Sequence, residues 1–202
     1  MDFDDNKGLM NYLELAGTLV GLVYLWLEYR ASCYLWIASF IMPAIYMVVY
    51  YQAGLYADFG INVYYVLASI YGLFYWIFGR RKDRSADKPE LPVSYTPRRQ
   101  YLPLLAVMVV LTIVIAQILL HFTDSNVPWS DSFTTALSMV AMWMLSRKYV
   151  EQWLAWIGVD LVCSVLYVYK ELYFTAGLYA LYTVIAYFGY LKWKKMIQTP
   201  AR

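Results

Sequence analysis

The chain of 202 residues is 62% hydrophobic and only 15% charged, where a soluble domain carries roughly a quarter charged residues. So few charges cannot cover a water-facing surface, which excludes a soluble globular protein and makes lipid the natural solvent. Seven or eight spans of about 20 residues each fill the length and leave no room for a large soluble domain. The net charge of +2 says little by itself, no nucleic-acid partner is expected, and the acidic start Met1-Asp2-Phe3-Asp4-Asp5-Asn6-Lys7 lacks the basic region of a cleavable signal peptide.

Apolar runs lie at 10–28, 33–52, 57–79, 100–122, 131–146, 151–169 and 172–192, uncharged through their middles apart from Asp160. Backbone polar groups must be satisfied inside hydrocarbon, so each run is predicted to be a helix. No ten-residue segments of period two appear, which excludes a membrane β-barrel. The second run holds Pro43 at its middle, predicted to kink the helix and free a carbonyl. The third carries Asn62, Tyr65, Ser69, Gly72 and Trp76 at spacings of 3, 4, 3 and 4, one polar-aromatic helical face. Asn62 and Tyr65 are candidates for ligand contact, whereas Gly72 and the later Gly189 mark close helix packing.

The linker 80–99 follows, with Arg80, Arg81, Lys82, Arg84, Lys88, Arg98 and Arg99 among Pro89, Pro92 and Pro97. It reads as a solvated, proline-broken topology signal, with acidic lipid headgroups as a secondary partner. A linking helix is predicted over 100–122, where Gln117 is a weak candidate for lining a path and His121 reads as an interfacial residue. The sixth run places Trp153, Trp156, Asp160, Ser164 and Tyr167 at spacings of 3, 4, 4 and 3, again on one face. Asp160 is about 10 Å along the axis from Trp153. A carboxylate at that depth usually faces a cavity and marks a pathway, and beside Trp rings it suits a cationic or hydrogen-bonding aromatic ligand. The competing reading is a structural hydrogen bond with interfacial Trp packing.

A shift of 117 positions aligns the two ends of the chain without a gap. Trp26 meets Trp143, Arg30 meets Arg147, Trp36 meets Trp153, Tyr50 meets Tyr167, Tyr65 meets Tyr182, Gly72 meets Gly189 and Trp76 meets Trp193. Trp36 and Tyr167 join the candidate ligand contacts. Pro43 stands where the second repeat has Asp160, so the symmetry breaks where a site is expected. The expected fold class is an all-α integral membrane protein of seven transmembrane helices in a 3+1+3 plan. Repeat one spans 10–79 and repeat two 131–193, within a single transporter domain of 1–202. After three crossings the linking helix returns the chain to its starting side, so the repeats are parallel, as in SWEET-like transporters.

With the N-terminus outside, fourteen of the sixteen Lys and Arg fall inside and only Lys7 and Lys170 outside. The positive-inside rule therefore favours N-out, C-in and an odd number of spans. Cys33 and Cys163 sit within apolar stretches and read as small buried residues, and no disulfide framework, metal site or cofactor is indicated. There is no Walker motif, HExxH or GxSxG, so neither ATP hydrolysis nor a hydrolytic site is expected. A membrane-embedded enzyme using Asp160 and His121 needs a second carboxylate or nucleophile, and none is evident. A non-transporting partner subunit, in which the Trp pairs only pack, is the other reading.

The stretches 52–58 (QAGLYAD), 70–76 (IYGLFYW), 153–160 (WLAWIGVD), 166–170 (LYVYK) and 189–193 (GYLKW) resemble the PnuC family of bacterial vitamin transporters. The resemblance runs from about Glu14 to Lys195, and its most specific element is the Trp-x-x-Trp pair ahead of a mid-span polar residue. It implies a seven-helix 3+1+3 fold in the bacterial inner membrane and a homotrimer with one pathway per protomer. It also implies facilitated diffusion of an unphosphorylated vitamin, usually nicotinamide riboside, which a cytoplasmic kinase then traps. By the same resemblance Trp153, Trp156 and Asp160 hold the substrate from span six, and Asn62, Tyr65 and Ser69 face it from span three. The family often has Asn or Gln where this chain has Asp160 or Asn62, and a related branch carries thiamine. Both vitamins are aromatic and cationic with hydroxyl groups, so either suits Trp faces and one carboxylate.

Overall fold

The computed structural model describes residues 20–52, 56–79, 91–123 and 126–198. Among these the secondary structure is helical, with one isolated bridge between Ser94 and Tyr149. The helices are α1 (Val20–Tyr29), α2 (Leu35–Gln52), α3 (Tyr56–Phe78), α4 (Arg98–Phe122), α5 (Pro128–Ser146), α6 (Gln152–Tyr169) and α7 (Tyr173–Gln198). They match the seven apolar runs. The first half of run one, the basic residues 80–88 and Pro89 lie outside the described residues. Helix α5 starts three residues earlier than its apolar run because Pro128 is pre-set for a first helical position. Helix α7 runs six residues past its apolar run, through Lys194 and Lys195, because long charged side chains allow a helix to continue beyond its apolar stretch.

Four helical segments among the described residues are long and apolar enough to cross a bilayer: Phe59–Phe78, α4, α6 and α7. Helix α5 is not one of them, because Ser130, Asp131, Ser132, Thr134, Thr135 and Ser138 lower its apolarity. Ser132, Thr134 and Ser138 are nevertheless buried, together with Ala136, Val140 and Ala141. Small residues of this kind let neighbouring helices approach closely, and α5 packs between α4 and α6. Ser132 and Thr134 return their hydroxyls to the helix's own carbonyls, Ser132 Oγ to Pro128 O at 2.6 Å and Thr134 Oγ1 to Ser130 O at 3.1 Å. On α4, in contrast, Leu102, Leu105, Val110, Ile113 and Val114 are exposed and only Ala116 is buried. That outer face is apolar enough to meet lipid.

The chain divides into two compact units, 1–73 and 74–202. In the first, Trp36 is 1% exposed and its ring lies where any Cβ on Gly72 would stand. Pro43 sits inside α2, so Ser39, four residues earlier, loses its intrahelical partner. The Ser69 hydroxyl of α3 lies 3.0 Å from the Ser39 carbonyl and 2.7 Å from Tyr65 O, so its single proton is shared between the carbonyl that proline frees and its own helix.

In the second unit, Trp76, Trp153 and Trp193 are wholly buried. Trp193 meets Trp153 edge-on at 5.7 Å and Trp76 at 6.4 Å, and the Trp76 indole N–H donates to Leu145 O at 3.2 Å. A Cβ on Gly189 would stand 2.7 Å from the Trp153 ring. Trp36 and Gly72, like Trp153 and Gly189, are therefore glycine-seated tryptophans 117 residues apart.

The turns agree in the same register. Ala31 and Lys148 have φ of 52° and 54°, and both close a helix end with a left-handed residue. The following N–H groups bond back five residues, Ser32 to Leu27 O at 3.0 Å and Tyr149 to Met144 O at 3.1 Å. Arg30 lies over Trp26 at 4.9 Å, and Arg147 over Trp143 at 5.3 Å.

The second half of the linker differs from the solvated segment expected. Residues 91–97 pair with the α5–α6 turn: the Ser94 N–H donates to Lys148 O at 3.0 Å, and the Val150 N–H donates to Ser94 O at 2.9 Å. A helix-to-helix turn leaves carbonyls and N–H groups that need partners, and the linker supplies them.

Candidate substrate site

Helix α6 carries the 3.6-residue face anticipated from its spacing, and α5 and α7 flank it. Asp160 is 8% exposed and has no hydrogen-bond or ion-pair partner among the described residues. Cys163 follows it by three residues on α6, and Tyr179 and Tyr182 lie on α7, which packs against α6. Tyr167 stacks on Tyr179 with centroids 5.2 Å apart, and Tyr179 meets Tyr182 edge-on at 5.8 Å. Ser164, on the same face, donates to Ala176 O at 3.0 Å and ties α6 to α7. At the C-terminal end of α6 Lys170 and Asp131 pair at 3.7 Å.

Trp156 is half-buried, and its indole nitrogen is buried with no partner among the described residues. An unpaired indole donor and an unpaired carboxylate thus sit one helical turn apart, near tyrosine rings. Both need a polar partner to offset desolvation. A cationic aromatic molecule with hydroxyl groups supplies a ring, a positive charge and hydrogen-bond acceptors together.

Other candidates are placed differently. Trp153 and Trp36 are sealed against glycines, so neither ring presents an open face. Ser69 is 1% exposed, and its hydroxyl lies 2.7 Å from Tyr65 O, 3.0 Å from Ser39 O and 3.1 Å from Ser39 Oγ. It is engaged in joining α2 to α3. Asn62 and Tyr65 are half-buried on α3, with the rings of Tyr64 and Tyr65 at 5.6 Å.

Tyr179 and Tyr182 were not singled out from the sequence as ligand contacts. A signal was available: the 117-residue shift carries Asn62 to Tyr179 and Tyr65 to Tyr182.

Membrane-type helices around a buried polar-aromatic site define a multi-pass membrane transporter of small solutes. The chain belongs to the nicotinamide mononucleotide transporter family, the family of the PnuC proteins, whose pattern it matches over residues 11–195. It is a transporter and not an enzyme. The nicotinamide riboside transporter PnuC of Escherichia coli (strain K12) is 26% identical over 91% of this chain and 85% of its own length. The riboflavin/roseoflavin transporter RibM of Streptomyces davaonensis is 26% identical over 89% of this chain and 83% of its own length. Among solved structures, the crystal structure of the vitamin B3 transporter PnuC matches with a TM-score of 0.64. That chain is 25% identical, and the match covers 90% of this chain and 80% of that one.

Proposed function

We propose that this protein moves nicotinamide riboside across the bacterial cytoplasmic membrane by facilitated diffusion, with intracellular phosphorylation trapping the product. The observation that carries the reading is Asp160, a buried carboxylate with no partner among the described residues, set beside tyrosines and one turn from the unpaired indole of Trp156. The pyridinium of nicotinamide riboside neutralises that charge, aromatic faces take its ring, and its ribose hydroxyls serve the remaining polar atoms. Trp156, Asp160, Tyr167, Tyr179 and Tyr182 are the proposed contacts from α6 and α7, while Asn62 and Tyr65 of α3 stay candidates on the family resemblance. Trp36, Trp153 and Ser69 shape the helices that carry them. The N-terminus lies outside and the C-terminus inside, in a parallel 3+1+3 repeat assembled as a homotrimer.

Thiamine is the second reading, supported by the same carboxylate, since its thiazolium is also a fixed cation. Riboflavin, named for one relative, is neutral and leaves Asp160 unpaired. The test is purified protein in liposomes without ATP or an ion gradient, offered labelled nicotinamide riboside, thiamine and riboflavin in turn. Nicotinamide riboside is expected to equilibrate. Thiamine equilibrating in its place transfers the assignment to the second reading, and no flux of either cation above protein-free liposomes sinks both.

A further inference from the structure

Glu151, the residue ahead of α6, is held from two sides. The Thr96 backbone N–H and hydroxyl donate to its Oε2 at 2.9 and 2.8 Å, and the Tyr101 hydroxyl donates to its Oε1 at 3.1 Å. Hydrogen bonds to an ionised acceptor are the stronger kind, and Thr96 is only 4% exposed. The same strand of linker is pinned at Ser94 by the two backbone bonds already described. Further back, the Leu91 N–H donates to Trp76 O at 3.3 Å. Beyond the clamp, Gln152 and Trp153 are wholly buried. The first turn of α6 is thus fixed by chain that enters α4.

Among the described residues the first repeat shows no such clamp. The counterpart of Glu151 is Tyr34, which is 70% exposed. Both turns close with the same left-handed residue and the same backbone bonds, so turn closure does not require a carboxylate. What distinguishes the second repeat is the helix that follows, with Trp156 about 7 Å and Asp160 about 13 Å along the axis from Glu151. A helix transmits rotation or slip at its first turn to the turns beyond.

We propose that Glu151 is a positioning residue for the substrate site. Its clamp on Thr96 and Tyr101 sets the rotation and register of α6, and with them the placement of Trp156 and Asp160. The inference rests on the assignment of those two residues to ligand contact.

The full-length protein, purified with Thr96→Val, Thr96→Ser, Glu151→Gln, Trp156→Ala and the Glu151→Gln/Trp156→Ala pair, decides it by two readouts. The first is nicotinamide riboside affinity, with thiamine in parallel. Thr96→Val and Glu151→Gln each weaken binding by about tenfold, while Thr96→Ser, which keeps both donors, binds as the parent does. Glu151→Gln adds little to the loss from Trp156→Ala, because residues acting through one another are non-additive. Additive losses, or unchanged affinity in both clamp variants, overturn the proposal. The second readout needs no ligand: hydrogen exchange of the amides 152–162. Faster exchange through the turns of Trp156 and Asp160 in Thr96→Val supports the clamp's reach. Exchange unchanged, or faster only at 152–154, overturns it. If the parent protein binds neither vitamin, the transport assignment falls, while exchange at 156–160 still decides whether the clamp positions α6.

Discussion

A carboxylate buried in a membrane helix costs several kcal/mol unless it is protonated or meets a cation. Asp160 has no cation of its own among the described residues, so replacing it separates the ligand from the fold. Asp160→Asn is expected to weaken binding of either cationic vitamin by about tenfold or more while the thermal midpoint in detergent holds or rises. Isotherms and melts on one preparation check this, and a fall in both would favour a structural role. Trp156→Phe removes the indole N–H and keeps an aromatic ring, and a loss of about threefold to tenfold in affinity is expected. The α6 part of this site is legible in the sequence because a 3.6-residue period displays one face of one helix. Tyr179 and Tyr182 belong to another helix, and period alone does not say which neighbour turns toward Asp160.

At the scale of the elements, two glycines and a proline explain why α2, α3, α6 and α7 pack as they do. Gly189→Ala brings a Cβ to 2.7 Å from the Trp153 ring, an overpacking that costs about 1–3 kcal/mol. A lower thermal midpoint is the expected result, and Gly72→Ala should repeat it against Trp36. Ser69→Ala leaves the carbonyl freed by Pro43 without its α3 donor, which costs about 1–3 kcal/mol when that group stays buried. The melt should fall while substrate affinity is kept, because Ser69 faces α2. The glycine packing was readable from the repeat. The role of Ser69 was not, since its place on a polar-aromatic face is compatible with both a ligand and a neighbouring helix.

For the molecule as a whole, charge placement makes the topology testable. With Cys33 and Cys163 replaced by Ser, Lys170→Cys is expected to react with a membrane-impermeant maleimide on intact cells. Lys195→Cys should react only after the membrane is opened, and the reverse pattern refutes N-out, C-in. Composition determined the solvent, since 15% charged residues cannot cover a soluble surface. The apolar runs determined the helices, because hydrocarbon forbids unsatisfied backbone, and the 117-residue register paired residues that the structure places in like turns and like tryptophan–glycine contacts. Only the tertiary structure decided which polar residues are engaged and which are open. Ser69 and Trp153 share faces with ligand candidates yet are consumed by packing, whereas Asp160 and Trp156 have unsatisfied groups. It also decided that residues 91–97, though partly exposed, hydrogen-bond to the α5–α6 turn and to Glu151. Partner choice depends on which element arrives in space, and neither periodicity nor composition encodes that.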